Sequence, residues 1–448
     1  MTKTISVVIA TALTAAMSFS ADALSGSWRG TLNAGRAELP IVLTFGTDSV
    51  GKPTCSFMSP MQSKESLPMT VDHCTDDSLV VRYPKLGIIY RASVSPERIS
   101  GRFRQFLRGF DLTLTPEIPL SARRPQTPVA PFPYTTVDTT FTSADGTLLS
   151  GTVTLPAGLS KNIPLVVMVS GSGPQNRDEE VFEHRPFAVI ADWLARNGVA
   201  SLRYDDRGTA GSQGDFASST TYTFRDDARS AVEFARTLPA IGRVGILGHS
   251  EGGTIALMLA ADGVPDFTIS LAGMAVRARE TLIAQNRHRA EQIGLDESTR
   301  EAMYKLLAII FDEMAAQYSR GTVEGIDVKA IIAANSIEIP DNLAAEIAQT
   351  VKQRTPWFDC FLTIDPGSFL GRISCPVLAL NGEKDTQVNC DRNLNAIRNS
   401  VPHAKILSMP GLNHLFQHAD TGDSSEYGSI SETISPEVLD IILEFCRR

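Results

Sequence analysis

The sequence predicts an α/β fold, a mostly parallel sheet with helices on both faces and a helical cap, preceded by a small all-β domain. Three observations carry this prediction. From Thr136 onward, apolar runs of strand length alternate with helix-length stretches, the pattern of parallel strands connected by helices that pack over the sheet. From Leu24 to Thr115 the texture differs, with short β-type runs separated by Gly, Pro and Asp. Third, Gly248-His249-Ser250-Glu251-Gly252 sits between the strand-like run Arg243 to Leu247 and the buried helical run Thr254 to Ala261.

Taken in order, residues 1–23 read as an export signal: Lys3 leads an apolar run from Ile5 to Phe19, and Ala21-Asp22-Ala23 is an A-x-A cleavage pattern. Cleavage after Ala23 would leave a periplasmic or secreted chain with no membrane insertion once the signal is removed. The run is short for a membrane span. Residue 24 is Leu and not Cys, so no lipid anchor is expected. Residues 24–115 form the β-rich domain, a small barrel or sandwich with strands such as Ile41 to Phe45 and Ser78 to Tyr83. Six prolines between Pro116 and Pro133 stiffen the chain and remove sheet donors, so residues 116–135 read as a linker.

Residues 136–448 form the α/β domain. A hairpin turning at Asp145-Gly146 opens it. Its candidate strands are Leu165 to Val169, Ala200 to Tyr204, Val244 to Leu247, Phe267 to Leu271, Val377 to Leu380 and Lys405 to Met409. Between the fourth and fifth lies a largely helical segment, residues 276–371, read as a cap because the chain returns to the sheet afterwards.

Composition bounds the function. With 43% hydrophobic residues, 20% charged and a net charge of −9, and with no long Lys/Arg cluster, the chain is unsuited to nucleic acid or an anionic membrane and better suited to a small-molecule substrate. Six cysteines in an exported chain could pair. Cys55 and Cys74 are the expected pair, while Cys360, Cys375, Cys390 and Cys446 leave connectivity open. The sequence has no C-x-x-C, so no metal or redox site is expected.

The chemistry centres on Ser250. A strand, a sharp turn between small residues and a following helix are what a nucleophile elbow requires. A base and an orienting acid should follow in the order Ser, acid, His. Of the histidines after Ser250, His288 falls in the cap and His403 precedes the last strand. His414, in the loop Gly411-Leu412-Asn413-His414 just past that strand, is the expected base, with His418 the alternative. Asp385, in the turn after Leu378 to Asn381, is the expected acid that holds the imidazole tautomer; Glu383, Asp391 and Asp365 are competitors. One oxyanion donor should be the Glu251 amide. The other should come from Ser170-Gly171-Ser172-Gly173-Pro174, with Ser172 the expected amide and Gly173 the alternative.

Four stretches together, Ser170-Gly171-Ser172-Gly173-Pro174 with Arg177-Asp178, Arg203 to Gly208, Gly248 to Gly253 and Asn413 to Gln417, make the chain resemble secreted bacterial α/β-hydrolase esterases. Members often carry a β-rich domain ahead of the catalytic one, and Gly26-Ser27-Trp28-Arg29-Gly30 is similar to its opening. The resemblance implies an α/β-hydrolase fold and a Ser-His-Asp esterase acting on short acyl esters, with Ser250, Asp385 and His414 at the matching positions and neither metal nor organic cofactor. One departure is Ser170, where many α/β-hydrolases have a histidine. His249 is then expected to be a packed neighbour of the elbow, and Arg207 a brace between loops. Two other readings stand beside this one. One is a serine peptidase of the prolyl-oligopeptidase type, which should be preceded by repeated blades that the sequence lacks. The other is a binding protein with an inactive hydrolase domain, against which the full set of triad candidates argues.

Overall fold

The computed structural model describes residues 24–448 except 34–37, 49–50, 61, 64, 76, 107, 118–119 and 159–160. The signal segment 1–23 lies outside the described residues. The chain divides into two compact units, with the boundary between Pro119 and Leu120.

The first unit is a closed antiparallel barrel of eight strands: β1 (Gly26–Asn33), β2 (Glu38–Thr47), β3 (Pro53–Met58), β4 (Leu67–Cys74), β5 (Ser78–Tyr83), β6 (Ile88–Ser95), β7 (Arg98–Gln105) and β8 (Arg108–Pro116). Each strand pairs with the next, and β8 returns to β1 through Trp28 opposite Pro116 and Arg29 opposite Thr115. Closure removes the free edges that an open sheet exposes. Alternate residues fill the interior, among them Trp28, Leu79, Val81, Tyr90, Leu112 and Leu114. The buried Tyr90 hydroxyl donates to the carbonyls of Ile99 and Leu112 at 3.2 and 2.9 Å, so its polar end is satisfied. The Cys55–Cys74 bridge expected from the sequence is not formed. Register explains this: the β3–β4 ladder sets Cys55 opposite Met69, five positions from Cys74.

The second unit begins with the short helix α1 (Leu120–Arg123) and the hairpin β9 (Thr135–Thr142) and β10 (Leu148–Leu155). There follow β11 (Ile163–Val169), α2 (Pro186–Arg196), β12 (Ala200–Tyr204), α3 (Thr221–Thr237), β13 (Ile241–His249), α4 (Glu251–Ala261) and β14 (Thr268–Leu271). The cap is made by α5 (Ala278–Gln292), α6 (Glu297–Ser319), α7 (Val328–Ala334), α8 (Asp341–Val351) and α9 (Pro356–Phe361). The fold closes with β15 (Val377–Gly382), α10 (Cys390–Ser400), β16 (Lys405–Met409) and α11 (Pro436–Cys446). All six strands expected from the sequence form.

The sheet order is β16-β15-β14-β13-β11-β12-β10-β9, with β11 to β16 parallel and the β9–β10 hairpin antiparallel at one edge. Central strands such as β11 are continuous apolar runs because both faces are covered by helices. The chain goes from β11 to its neighbour β12 and then crosses back to β13 on the other side of β11. That reversal falls at the carboxyl ends of β11 and β13, the place at which ligands of open α/β sheets bind. The cap has its own apolar core, including Leu306, Ile310, Met314 and Ile347.

The stretch 116–135 read as a linker is not one throughout. Its first residue ends β8, and Arg124, 3% exposed, donates to the carbonyls of Phe182, Gly428 and Ile430 at 2.8 to 2.9 Å. Gln126 accepts from the Thr433 and Ile434 amides. Pro125, Pro128, Pro131 and Pro133 lie outside any strand, but a buried guanidinium needs acceptors and anchors the segment to the second unit.

Candidate active site

Ser250 is the residue between β13 and α4, and its backbone has φ 54° and ψ −118°. A non-glycine residue held there stores roughly 1–3 kcal/mol, which the surroundings must impose. They do so by close approach. A Cβ at Gly248 would lie 1.9 Å from the Gly252 carbonyl oxygen, and one at Gly252 would lie 2.1 Å from that of Val169 at the end of β11. The Ser250 amide donates to the Leu271 carbonyl at 2.9 Å. The serine therefore stands at the N-terminus of α4, whose dipole favours negative charge.

The loop after β16 carries His414, and the turn after β15 carries Asp385. Their side chains meet at 2.7 Å, His414 Nδ1 to Asp385 Oδ2, with 4% and 0% of the side chains exposed. Asp385 Oδ1 accepts from the amides of Gln387 and Val388 at 2.8 and 2.9 Å, which fixes the carboxylate. The two loops are stitched together by Lys384 N–H donating to the Leu412 carbonyl at 2.9 Å and Glu383 N–H donating to that of Met409 at 3.0 Å. Buried Asn413 holds the His414 loop closed, its Oδ1 accepting from the amides of Leu415 and Gln417 at 3.0 and 2.9 Å.

The rival residues are elsewhere. His418 is exposed and pairs with Glu432 at 2.9 Å, and exposed His403 contacts the Cys375 carbonyl. Glu383 and Asp391 are exposed, while Asp365 accepts from Arg277 at 3.0 Å. Arg207 does brace loops, reaching Asp227 at 2.7 Å and Asp145 at 2.8 Å.

The loop after β11 lies against the elbow, since a Cβ at Gly171 would stand 3.2 Å from Ser250 Cβ. The Gly171 amide is taken by Glu179 Oε1 at 2.7 Å. The amides of Ser172, Gly173 and Glu251 have no acceptor among the described residues. Ser170, the departure from the usual histidine, donates to Asp206 Oδ1 at 2.8 Å. Asp206 also accepts from the Gln175 amide at 2.9 Å, yet burial, reinforced by Glu179 and Glu251, pushes its carboxyl up to about 8.

Glu251, the residue after Ser250, buries its carboxylate and gathers donors from three elements. Thr221 of α3 donates at 2.7 Å, Trp357 of α9 donates at 2.9 and 3.0 Å, and Ser172 adds its hydroxyl. Burial raises Glu251 while those hydrogen bonds oppose the rise. Trp357 stacks on Phe361 at 4.9 Å, so one indole links the cap to the elbow.

Sequence reasoning missed Glu179, Asp206, Trp357 and His184. His184 is buried behind the base loop, where its Nε2 contacts the Tyr427 carbonyl and its Nδ1 the Thr433 hydroxyl, and burial pulls it down to about 4. The run Arg177-Asp178-Glu179-Glu180 reads as a solvated acidic turn; nothing local marks Glu179 as the one whose carboxylate turns inward.

The chain matches the family model of X-Pro dipeptidyl-peptidase (S15 family) over residues 145–415, a span that takes in Ser250, Asp385 and His414. It is 26% identical over 273 residues to Esterase EstD of Thermotoga maritima, an alignment that covers 60% of this chain and 58% of that relative's length. Among solved structures, ferulic acid-bound Est1E from Butyrivibrio proteoclasticus is 18% identical with a TM-score of 0.41, covering 69% of this chain and 96% of that one. The hypothetical protein PA2218 from Pseudomonas aeruginosa is 16% identical with a TM-score of 0.46, covering 72% and 95%. The fold is that of an all-β barrel followed along the chain by an α/β-hydrolase with a helical cap, and with more than half of its length matched by the family model, the chain belongs to the X-Pro dipeptidyl-peptidase (S15) family of hydrolases.

Proposed function

We propose that the chain is a serine esterase that cleaves short-chain carboxylic esters through an acyl-enzyme. Ser250 Oγ attacks the ester carbonyl, and His414 takes its proton and later delivers it to the leaving alcohol. Asp385 holds the His414 ring in the tautomer whose Nε2 is free to accept, and stabilises the imidazolium that forms. The tetrahedral oxyanion meets the amides of Glu251 and Ser172, at the positive end of α4. A water then repeats the sequence to release the acid. The observation that carries this reading is the 2.7 Å hydrogen bond between His414 and the buried Asp385, on a loop whose His414 carbonyl contacts His249, the residue before the strained Ser250. The likeness to Esterase EstD supports an ester as substrate.

A second reading is cleavage of X-Pro peptides, favoured by the description of the matching family. The same attack and proton transfers serve an amide, so the substrate and not the triad separates the two.

The test is hydrolysis of p-nitrophenyl esters from acetate to octanoate beside an X-Pro p-nitroanilide, by the native chain and its Ser250→Ala variant. Turnover of the short esters, falling by roughly 10³-fold or more in the variant, is the expected result. Faster cleavage of the anilide would replace the esterase with the peptidase. Ester turnover that survives Ser250→Ala would overturn both.

A further inference from the structure

Glu179 stands where three loops converge, and the proposed reaction assigns it no role. It belongs to the segment between β11 and α2, is 3% exposed and has φ 51°. Its Oε1 accepts from the Gly171 amide of the oxyanion loop at 2.7 Å and faces Nδ1 of His249 at 2.9 Å. His249 precedes Ser250, and its Nε2 faces the backbone carbonyl of His414 at 3.0 Å. The His249 and His414 rings lie 4.7 Å apart, centroid to centroid.

Proton counting follows from these partners. A carbonyl oxygen only accepts, so His249 Nε2 carries a hydrogen. With Glu179 ionised, its Oε1 accepts from both the Gly171 amide and Nδ1. Both ring nitrogens are then protonated, and His249 is an imidazolium paired with a buried carboxylate. The titratable groups facing this pair are Asp385 and His414 on the His249 side and Asp206, whose buried carboxyl is raised, on the Glu179 side. Burial by itself would pull His249 down, but the Glu179 charge and hydrogen bond outweigh it and the net shift is upward.

We propose that Glu179 is a positioning residue: through the Gly171 amide and the His249 imidazolium it locks the oxyanion loop, the Ser250 elbow and the His414 loop into one arrangement. The proposal rests on the reading of Ser250 as nucleophile and the Ser172 amide as oxyanion donor. Gly171 adjoins Ser172, His249 adjoins Ser250, and the carbonyl held by His249 is that of His414 itself. One carboxylate thus governs the separation of nucleophile, base and oxyanion donor, the distances to which rate is most sensitive.

The test compares Glu179→Gln, Glu179→Ala and Ser250→Ala with the native chain on p-nitrophenyl acetate, with folding followed by circular dichroism. A glutamine oxygen can still accept from Gly171 but cannot balance a buried imidazolium, and alanine offers neither contact. The expected order of kcat is native, then Gln, then Ala, with Ala down roughly 10–100-fold and KM little changed, because ester binding is not what the pair arranges. A second measurement needs no variant to fold: ¹⁵N-histidine NMR of the native chain should show both His249 ring nitrogens protonated at neutral pH. A folded Glu179→Ala with native kcat, a loss confined to KM, or a singly protonated His249 would overturn the proposal. Should Ser250→Ala remain active, it is the esterase reading that fails, whatever Glu179 does.

Discussion

The barrel and the α/β unit fill their interiors with different chemistry. Among the described residues, Ser59 is the only polar residue that the barrel buries, whereas the α/β unit buries Glu179, Asp206, Glu251 and Asp385 together with His249 and His414. Each buried charge is costly unless it is paired and hydrogen-bonded. In the α/β unit these groups gather at the carboxyl ends of β11 to β16, around one strained serine. A unit concerned with stability alone has no reason to carry them. The contrast separates a shell held by apolar packing from a site held by directed polar contacts.

The contrast breaks most sharply at Asp385. In Asp385→Asn the amide oxygen can keep the Gln387 and Val388 donors, but the NH2 group then faces His414 Nδ1 and forces the proton onto Nε2, the nitrogen that accepts from Ser250 in the proposed reaction. We expect a folded protein whose kcat on a short ester falls roughly 10²–10⁴-fold. Native turnover would remove Asp385 from the relay. The converse variant is Leu114→Ala, which empties a fully buried position in β8. It should cost about 2–5 kcal/mol, read as a lowered urea midpoint, while kcat per folded molecule is unchanged.

How much of this was legible in the sequence follows the same division. The alternating pattern of β11 to β16 and the glycines around Ser250 are local consequences of two-sided burial and of a sharp turn, so the strands, the elbow and the pairing of His414 with Asp385 could be anticipated from order and spacing. Strand closure into a barrel could not, because a barrel and a sandwich share one alternation and differ only in whether β8 finds β1. The same limit produced the mistaken Cys55–Cys74 bridge, since register depends on loop geometry. Glu179, Asp206 and Trp357 were invisible for another reason. Each is an ordinary polar or aromatic residue in a turn, strand end or cap helix, and acquires its role only when partners 31 to 106 residues distant in sequence close around it.

The smallest effect is a tilt rather than a loss. Burial holds the Asp206 carboxyl at about 8, so the folded chain retains a proton there that the unfolded chain releases near pH 4. Between those values the native state binds more protons, and stability falls as pH rises, by at most about 1.4 kcal/mol per pH unit from this group. The contribution is whole below about pH 4 and is gone once the pH has risen through about 8. Asp206→Asn removes the titration without disturbing the contacts: the amide oxygen accepts from Gln175 N–H, and its NH2 donates to Ser170 Oγ once that hydroxyl rotates. Urea midpoints from pH 5 to 9 should therefore decline less steeply in Asp206→Asn than in the native chain, while Leu114→Ala should lower the whole curve without changing its slope. Equal slopes for Asp206→Asn and the native chain would mean that the buried acid is ionised throughout, and that the polar contacts of the α/β unit fully offset its burial.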